Sequence, residues 1–269
     1  MPRRSRETDQ QRAERYAALE AEAPVISRAE YRSRSRRSFL TGGAASLAAL
    51  AGWRWLQARP EDNRANDVLR AGHEFNETLW RGLSRDGATA PTFDRSESSM
   101  PRVNGRHGLD DEIDLAGWEL TVLGPDGRTL GTNTLGDIQA LPKYEMTVEH
   151  KCVEGWSHIV TWGGARFSDF AALYPAASGA NSTDFVSLET PDSRYYVGID
   201  MPSMLNPQML LAYELEGEPL TSEHGAPLRL ATPNKYGIKC IKRIGTIEFT
   251  NEQPTDYWYE RGYDWYAQL

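Results

Sequence analysis

Cysteine is scarce in this sequence, and the motifs of several common enzyme classes are missing. The 269 residues include two cysteines, too few for a stabilising disulfide framework. There is no His-Glu-x-x-His and no Cys-x-x-Cys, which disfavours a zinc protease or a structural zinc site. A phosphate-binding glycine loop and a Gly-x-Ser-x-Gly elbow are also missing, so neither nucleotide binding nor serine-hydrolase chemistry is indicated.

Positive charge is in short supply outside the N-terminus. The formal net charge is -8, with +4 in residues 1–40 and -12 in residues 41–269. An acidic body argues against nucleic acid as a partner. Hydrophobic residues make up 39% and aromatic residues 10% of the chain, enough to build a substantial core in one large domain or two small ones.

A long hydrophobic run is missing as well. Residues 38–53 are uncharged and rich in Ala, Gly and Leu, and Arg54 ends the run. As a helix, this segment would span roughly 24 Å, less than the ~30 Å hydrocarbon core of a bilayer. A permanent membrane span is therefore strained unless Trp55 and Leu56 extend it.

Two arginines stand directly before this run. Arg36-Arg37, followed by Ser-Phe-Leu, resemble a twin-arginine export signal, and residues 49–51 (Ala-Leu-Ala) fit a cleavage site. An ordinary basic flank of a membrane helix is the alternative. We expect residues 1–57 to be a cytosolic leader with a signal that is either cleaved or retained as an anchor. The twin-arginine translocase would then deliver the folded protein to the periplasm or to the outer face of the cytoplasmic membrane.

The remaining chain is predicted to form a linker with an irregular segment at 58–100 and one domain at 101–269. Alternating apolar residues predict strands, and the gaps between them hold turns instead of long helices. This pattern indicates an α+β, mainly β fold without a nucleotide-binding βαβ core. Thr134 and Ser168 are each expected to cap a short helix, and Gly163-Gly164 are interpreted as a turn. The predicted strands are 118–122, 144–152, 184–188, 195–199, 210–215, 228–231 and 238–249.

Cys152 stands out because of its neighbours. An isolated cysteine is most often a small buried hydrophobe, as we expect for Cys240. Residues 150–157 (His-Lys-Cys-Val-Glu-Gly-Trp-Ser), however, resemble the molybdenum-ligand segment of the sulfite oxidase family. Residues 224–229 resemble its pterin-phosphate segment, and residues 233–239 resemble its third cofactor segment. The resemblance covers roughly residues 100–262, and it implies a sulfite-oxidase-type fold with a single domain that lacks the dimerisation domain.

The resemblance also implies a molybdenum–molybdopterin cofactor with the Cys152 thiolate as a metal ligand. His224 and Arg229 would bind the pterin phosphate, Arg229 through a forked contact. Gly237 would allow close backbone approach, next to the Ile238 amide and the Lys239 charge. The cofactor-binding residues that the resemblance implies are Arg102, Asn104, Ser187, His224, Arg229, Gly237, Ile238 and Lys239.

One departure from the family concerns the substrate. Glu154 and Trp156 follow Cys152, where sulfite oxidases carry an arginine suited to a dianion. This form is similar to that of bacterial methionine sulfoxide reductase catalytic subunits, which implies a neutral sulfoxide substrate and a catalytic role for Glu154. In the other interpretation, Glu154 points away and pairs with a lysine of a strand, while Lys235 and Arg166 supply the missing cation.

Two further functions stay open at this point: a sulfite dehydrogenase, and a cofactor-free binding module on the same fold. There is no Cys-x-x-Cys-His haem motif in the chain. Electrons would therefore pass to or from a separate protein, for which a membrane cytochrome b or another haem electron carrier is expected.

Overall fold

The computed structural model describes residues 27–83, 88–109, 113–175 and 183–269. The chain divides into two units, Met1–Ala58 and Arg59–Leu269. In the first unit, helix α1 (Arg28–Gln57) begins where the Ser27 side chain accepts a hydrogen bond from the Glu30 amide. Within the described ranges, no helix combines the length and the apolar character that crossing a membrane requires.

In the described part of the chain, the second unit holds the other regular elements, most of them strands. A short hairpin of β1 (Glu61–Asp62) and β2 (Ala65–Asn66) leads into helix α2 (Asp67–Leu83). Three further helices among the described residues are short: α3 (Leu135–Gln139), α4 (Phe167–Ala171) and α5 (Met201–Met204). The remaining strands are β3 (Glu119–Leu123), β4 (Thr129–Thr134), β5 (Lys143–Lys151), β6 (Ser157–Arg166), β7 (Phe185–Glu189), β8 (Tyr196–Asp200), β9 (Leu210–Leu215), β10 (Glu218–Pro219), β11 (Arg229–Ala231) and β12 (Thr246–Thr250).

These strands form two five-stranded sheets. One has the order β10-β9-β6-β5, with β11 also paired to β9, and the other has the order β4-β3-β12-β7-β8. β12 runs parallel to β3 and antiparallel to β7. Alternate side chains such as Leu120, Val122 and Ile247 are buried and pack with Phe167 and Phe170 of α4 in the main core. The mainly β, α+β class is therefore confirmed.

Most of the predicted strands are present within one or two residues, but three predictions were wrong. Ser168 does not cap a helix, because α4 begins at Phe167 and Ser168 lies inside it. Gly163-Gly164 lie inside β6 and not in a turn. A Cβ on Gly164 would lie 2.2 Å from the Leu211 carbonyl oxygen, so glycine permits the close approach of β9 at an irregular register. The long strand 238–249 is broken, because Gly237–Lys239 forms a 3₁₀ turn and only Thr246–Thr250 pairs in a sheet.

The segment expected to be irregular contains α2, which is also oriented unusually. Its apolar side chains, Val68, Leu69, Phe75, Leu79 and Trp80, are exposed. Its inward side chain is Arg70, which donates to the carbonyl oxygens of Asp62, Asn63, Tyr259 and Tyr263 at 2.7–3.1 Å. The polar face of the amphipathic helix thus faces the domain, because the loop ends beneath it present carbonyl groups that need donors.

Candidate active site

A cavity of about 270 Å³ lies where β5 ends and the 3₁₀ turns Ser222–His224 and Gly237–Lys239 approach it. A tight turn after β5 brings the half-buried Cys152 into the cavity wall. The Cys152 amide donates to the Trp156 carbonyl at 2.9 Å, and the Gly155 amide donates to the Cys152 carbonyl at 3.1 Å. Gly155 has a φ of +85°, which explains a glycine at this position.

The structure brings together eight of the ten residues that the sequence singled out. They come from separate segments of the chain and share one cavity. The three cofactor-like motifs and the loop before residue 107 therefore lie around the same cavity. These residues are Arg102, Asn104, Cys152, Glu154, His224, Arg229, Gly237 and Ile238.

Two predicted site residues do not line this cavity. Ser187 lies in β7, opposite Gly198 and Glu248 in the second sheet. The side chain of Lys239 is buried and points the other way, donating to Asp256 Oδ2 at 2.6 Å and to the Gly198 carbonyl at 2.8 Å. Its charge therefore belongs to a buried ion pair and is not directed into the cavity.

The two proposed alternative cations are also elsewhere. Lys235 is buried beside a second cavity, donates to the Tyr266 carbonyl at 3.0 Å and lies 3.5 Å from Asp200 Oδ1. Burial lowers its pKa to about 7, an effect that Asp200 partly opposes. The Arg166 guanidinium stacks over the Tyr144 ring at 3.7 Å.

Glu154 lies at the cavity wall and accepts two hydrogen bonds through one oxygen. Its Oε2 is 2.8 Å from the Arg102 guanidinium and 2.9 Å from Trp156 Nε1. The guanidinium also stacks 4.4 Å above the Trp156 ring. Glu154 therefore pairs with Arg102, and the interpretation that it pairs with a strand lysine was wrong.

Two cationic side chains also line the cavity. Arg229 is buried, donates to the His224 and Cys240 carbonyls, and lies 4.5 Å from the Trp162 ring. Burial lowers its pKa to about 10, and its Nε has no hydrogen-bond partner among the described residues. Lys242 is the other, and burial and the neighbouring Arg229 lower its pKa to about 8.

Both histidines here are held neutral. Burial, then Arg229 and Lys242, lower the pKa of His150 to about 3 and also lower the pKa of His224. A buried guanidinium with an unpartnered nitrogen and a lysine beside it is unfavourable unless an anion compensates the charge. The residues present therefore fit an anionic cofactor whose phosphate would lie near Arg229, His224 and Lys242.

The cavity also contains residues that the sequence did not single out. Aromatic side chains form much of its remaining wall, and His107 packs among them with its ring centroid 4.7 Å from that of Tyr257. The many Tyr and Trp residues near the C-terminus were the sequence feature that could have predicted this aromatic wall. The missed residues are His107, His150, Tyr195, Lys242, Trp258 and Tyr263.

No group of three or more His, Cys, Asp or Glu side chains that could hold a metal occurs in the described part of the chain. The cavity offers the Cys152 thiol together with the cationic side chains of Arg229 and Lys242, and these residues fit an anionic cofactor that brings further metal ligands of its own, such as a pterin dithiolene. The family described as oxidoreductase molybdopterin binding domain matches residues 107–258. The chain belongs to this family and is a molybdopterin-binding oxidoreductase.

Comparison with individual proteins agrees with this family. A protein of Azospira oryzae, provisionally described as protein-methionine-sulfoxide reductase subunit YedZ1, is 32% identical over 86% of this chain and 85% of its own length. The protein-methionine-sulfoxide reductase catalytic subunit MsrP of Campylobacter jejuni is 32% identical over 56% of this chain and 54% of its own length. The chain thus spans most of one relative and about half of the other. The crystal structure of the sulfane dehydrogenase SoxCD from Paracoccus pantotrophus aligns with 53% of this chain at 19% identity and a TM-score of 0.46.

Proposed function

We propose that this protein reduces a neutral sulfoxide to a sulfide at a molybdenum–molybdopterin cofactor. The observation that carries the proposal is the Arg102–Glu154 pair near Cys152, because it cancels a cation that a sulfite dianion would require. The names of the relatives, which refer to protein-methionine-sulfoxide reductases, support a sulfoxide substrate. The overall reaction consumes two electrons and two protons and yields the sulfide and water.

In this proposal each side chain has a separate task. When bound, the cofactor supplies a metal that exchanges an oxygen atom while it changes by two electrons. Cys152 supplies one soft thiolate ligand, and Arg229 and His224 hold the phosphate, with the charge of Lys242 nearby. Trp156 gives the substrate an apolar contact, and Glu154 holds its indole and the Arg102 guanidinium in place.

Steady-state kinetics of the molybdenum-loaded protein test the substrate. We expect turnover of a neutral sulfoxide and poor turnover of sulfite, and we expect Glu154→Gln to raise kcat/KM for sulfite roughly tenfold because it frees the Arg102 charge. Glu149→Gln is the matched control, since Glu149 pairs with Lys151 and does not line the cavity. Sulfite turnover at about 10⁴ M⁻¹s⁻¹ or above without sulfoxide turnover would establish a sulfite dehydrogenase instead.

Metal analysis of protein from molybdenum-supplied cells tests the ligand and the cofactor-free alternative together. Cys152→Ser should leave the fold intact and abolish activity, because a hard oxygen replaces a soft sulfur. Cys240→Ser serves as the comparison within the same cavity wall, since the buried Cys240 thiol donates to the Thr232 carbonyl at 3.7 Å. If the wild-type protein binds no molybdenum, the remaining interpretation is a cofactor-free binding module.

The proposal includes export through the twin-arginine route and electron supply by a membrane cytochrome b or another haem carrier. Support comes from Arg36-Arg37 in front of the uncharged run 38–53. Lysine at both positions should trap folded protein in the cytoplasm, whereas Arg32→Lys with Arg34→Lys should not. For the partner, we expect reduced membrane haem to be oxidised only when both the loaded protein and a sulfoxide are added.

A further inference from the structure

The side chain of Asn104 reaches the sulfur of Cys152. Its Nδ2 donates to Cys152 Sγ at 3.8 Å, which is long for a hydrogen bond to sulfur. Both side chains line the cavity. An amide donor therefore faces the same atom that would ligate the metal, from a loop 48 positions earlier in the chain.

A lysine from a third segment holds this loop in place. Lys242 Nζ donates to the Asn104 carbonyl at 2.7 Å, to the Gly105 carbonyl at 3.2 Å and to the Glu223 carbonyl at 2.9 Å. Gly105 has a φ of +75°, which lets the chain turn directly after Asn104. The main chain at Asn104 is thus held in place independently of the thiol.

We propose that Asn104 is a positioning residue that tunes the metal through the Cys152 sulfur and raises its reduction potential. A hydrogen bond to a ligating sulfur withdraws electron density from it, and such bonds set the potentials of sulfur-ligated metals. The sulfur carries more negative charge when the metal is reduced, so the N–H···S bond stabilises the reduced state more than the oxidised state. This inference rests on ligation of the metal by Cys152, as proposed above, and is independent of the substrate.

A redox titration of the molybdenum-loaded full-length protein tests this role. Asn104→Leu removes the donor at similar volume, and Asn104→Asp keeps the shape but replaces the donor with an acceptor. We expect both variants to retain molybdenum and to be harder to reduce, with the equilibrium constant for reduction lowered about tenfold, or 59 mV for a one-electron couple. The sulfur-to-metal charge-transfer absorption should shift as well. Val103→Ala, at an exposed neighbouring position, should change neither quantity.

Each outcome has a definite meaning. Unchanged potentials in both Asn104 variants at full molybdenum content would overturn the proposal. So would loss of molybdenum from these variants alone, because Asn104 would then hold the cofactor and not tune it. Cys152→Ser tests ligation of the metal by Cys152 separately from the role of Asn104. If this variant keeps the charge-transfer absorption, the ligand assignment fails. If the absorption is lost, the test of Asn104 is valid.

Discussion

Acid should destabilise the cofactor-free protein, and the histidine with the most strongly lowered pKa at the cavity wall, His150, should contribute to this loss. Burial and the charges of Arg229 and Lys242 hold the pKa of His150 at about 3, against 6.5 for an ordinary histidine. Between these two values the unfolded chain binds a proton that the folded chain does not, so stability is lost as the pH falls below about 6.5. At about pH 5 the loss from this residue comes to about 2 kcal/mol, since one pKa unit is worth about 1.4 kcal/mol.

Denaturant unfolding at pH 8 and pH 5 measures this contribution. His150→Gln stays neutral at both values, so the difference in the free energy of unfolding should shrink by about 2 kcal/mol relative to wild type. His158 faces His150 across the two strands and is the matched control, because His158→Gln leaves the buried imidazole in place and His158 contributes least to lowering its pKa. Equal pH dependence in wild type and His150→Gln would refute the assignment of acid sensitivity to this residue.

Two further predictions concern the scaffold. Gly164→Ala should lower the free energy of unfolding by about 3 kcal/mol, because its Cβ would overlap the Leu211 carbonyl. Gly136 lies in helix α3, and a Cβ there would be 3.5 Å from its nearest atom. Gly136→Ala should therefore be neutral or stabilising by about 0.5 kcal/mol. Similar unfolding midpoints for both would contradict the close approach of β9. Arg70→Met should cost about 3 kcal/mol and alter near-ultraviolet circular dichroism from nearby aromatic residues, while Arg128→Met should change stability by less than about 0.5 kcal/mol. An Arg70 variant as stable as the Arg128 variant would show that its four hydrogen bonds contribute little.

Alternation along the chain was enough to place most strands, because strands such as β3, β7 and β12 bury every second residue. Leu120 and Val122 are buried on β3, and Ile247 and Phe249 on β12, as the period of two requires. Local pattern failed at Gly163-Gly164, where the reason for glycine lies on another strand. It failed again at 238–249, where the Lys239 amide closes a turn with the Tyr236 carbonyl instead of joining a ladder.

The candidate site was likewise predicted in part from the sequence. Motifs specify which segments meet, so Cys152, His224 and Arg229 were found around one cavity. They do not specify where a side chain points: Lys239 turns toward Asp256, and Ser187 lies outside the cavity because of its place in the second sheet. His150 and Lys242 were missed because their importance comes from neighbours that are distant in sequence.

The hydrogen bonds of Arg70 in α2 set the shortest segment of this chain that can be transferred to another protein as one folded unit. The family match begins at residue 107, yet the carbonyls of Tyr259 and Tyr263 receive hydrogen bonds from a helix that starts 40 residues earlier, at Asp67. Tyr263 lines the cavity, so a polypeptide trimmed to residues 107–258 would lose this part of the cavity wall together with the helix that donates to it. Recombination that exchanged this domain between proteins would have to include helix α2 or supply another hydrogen-bond donor for the Tyr259 and Tyr263 carbonyls.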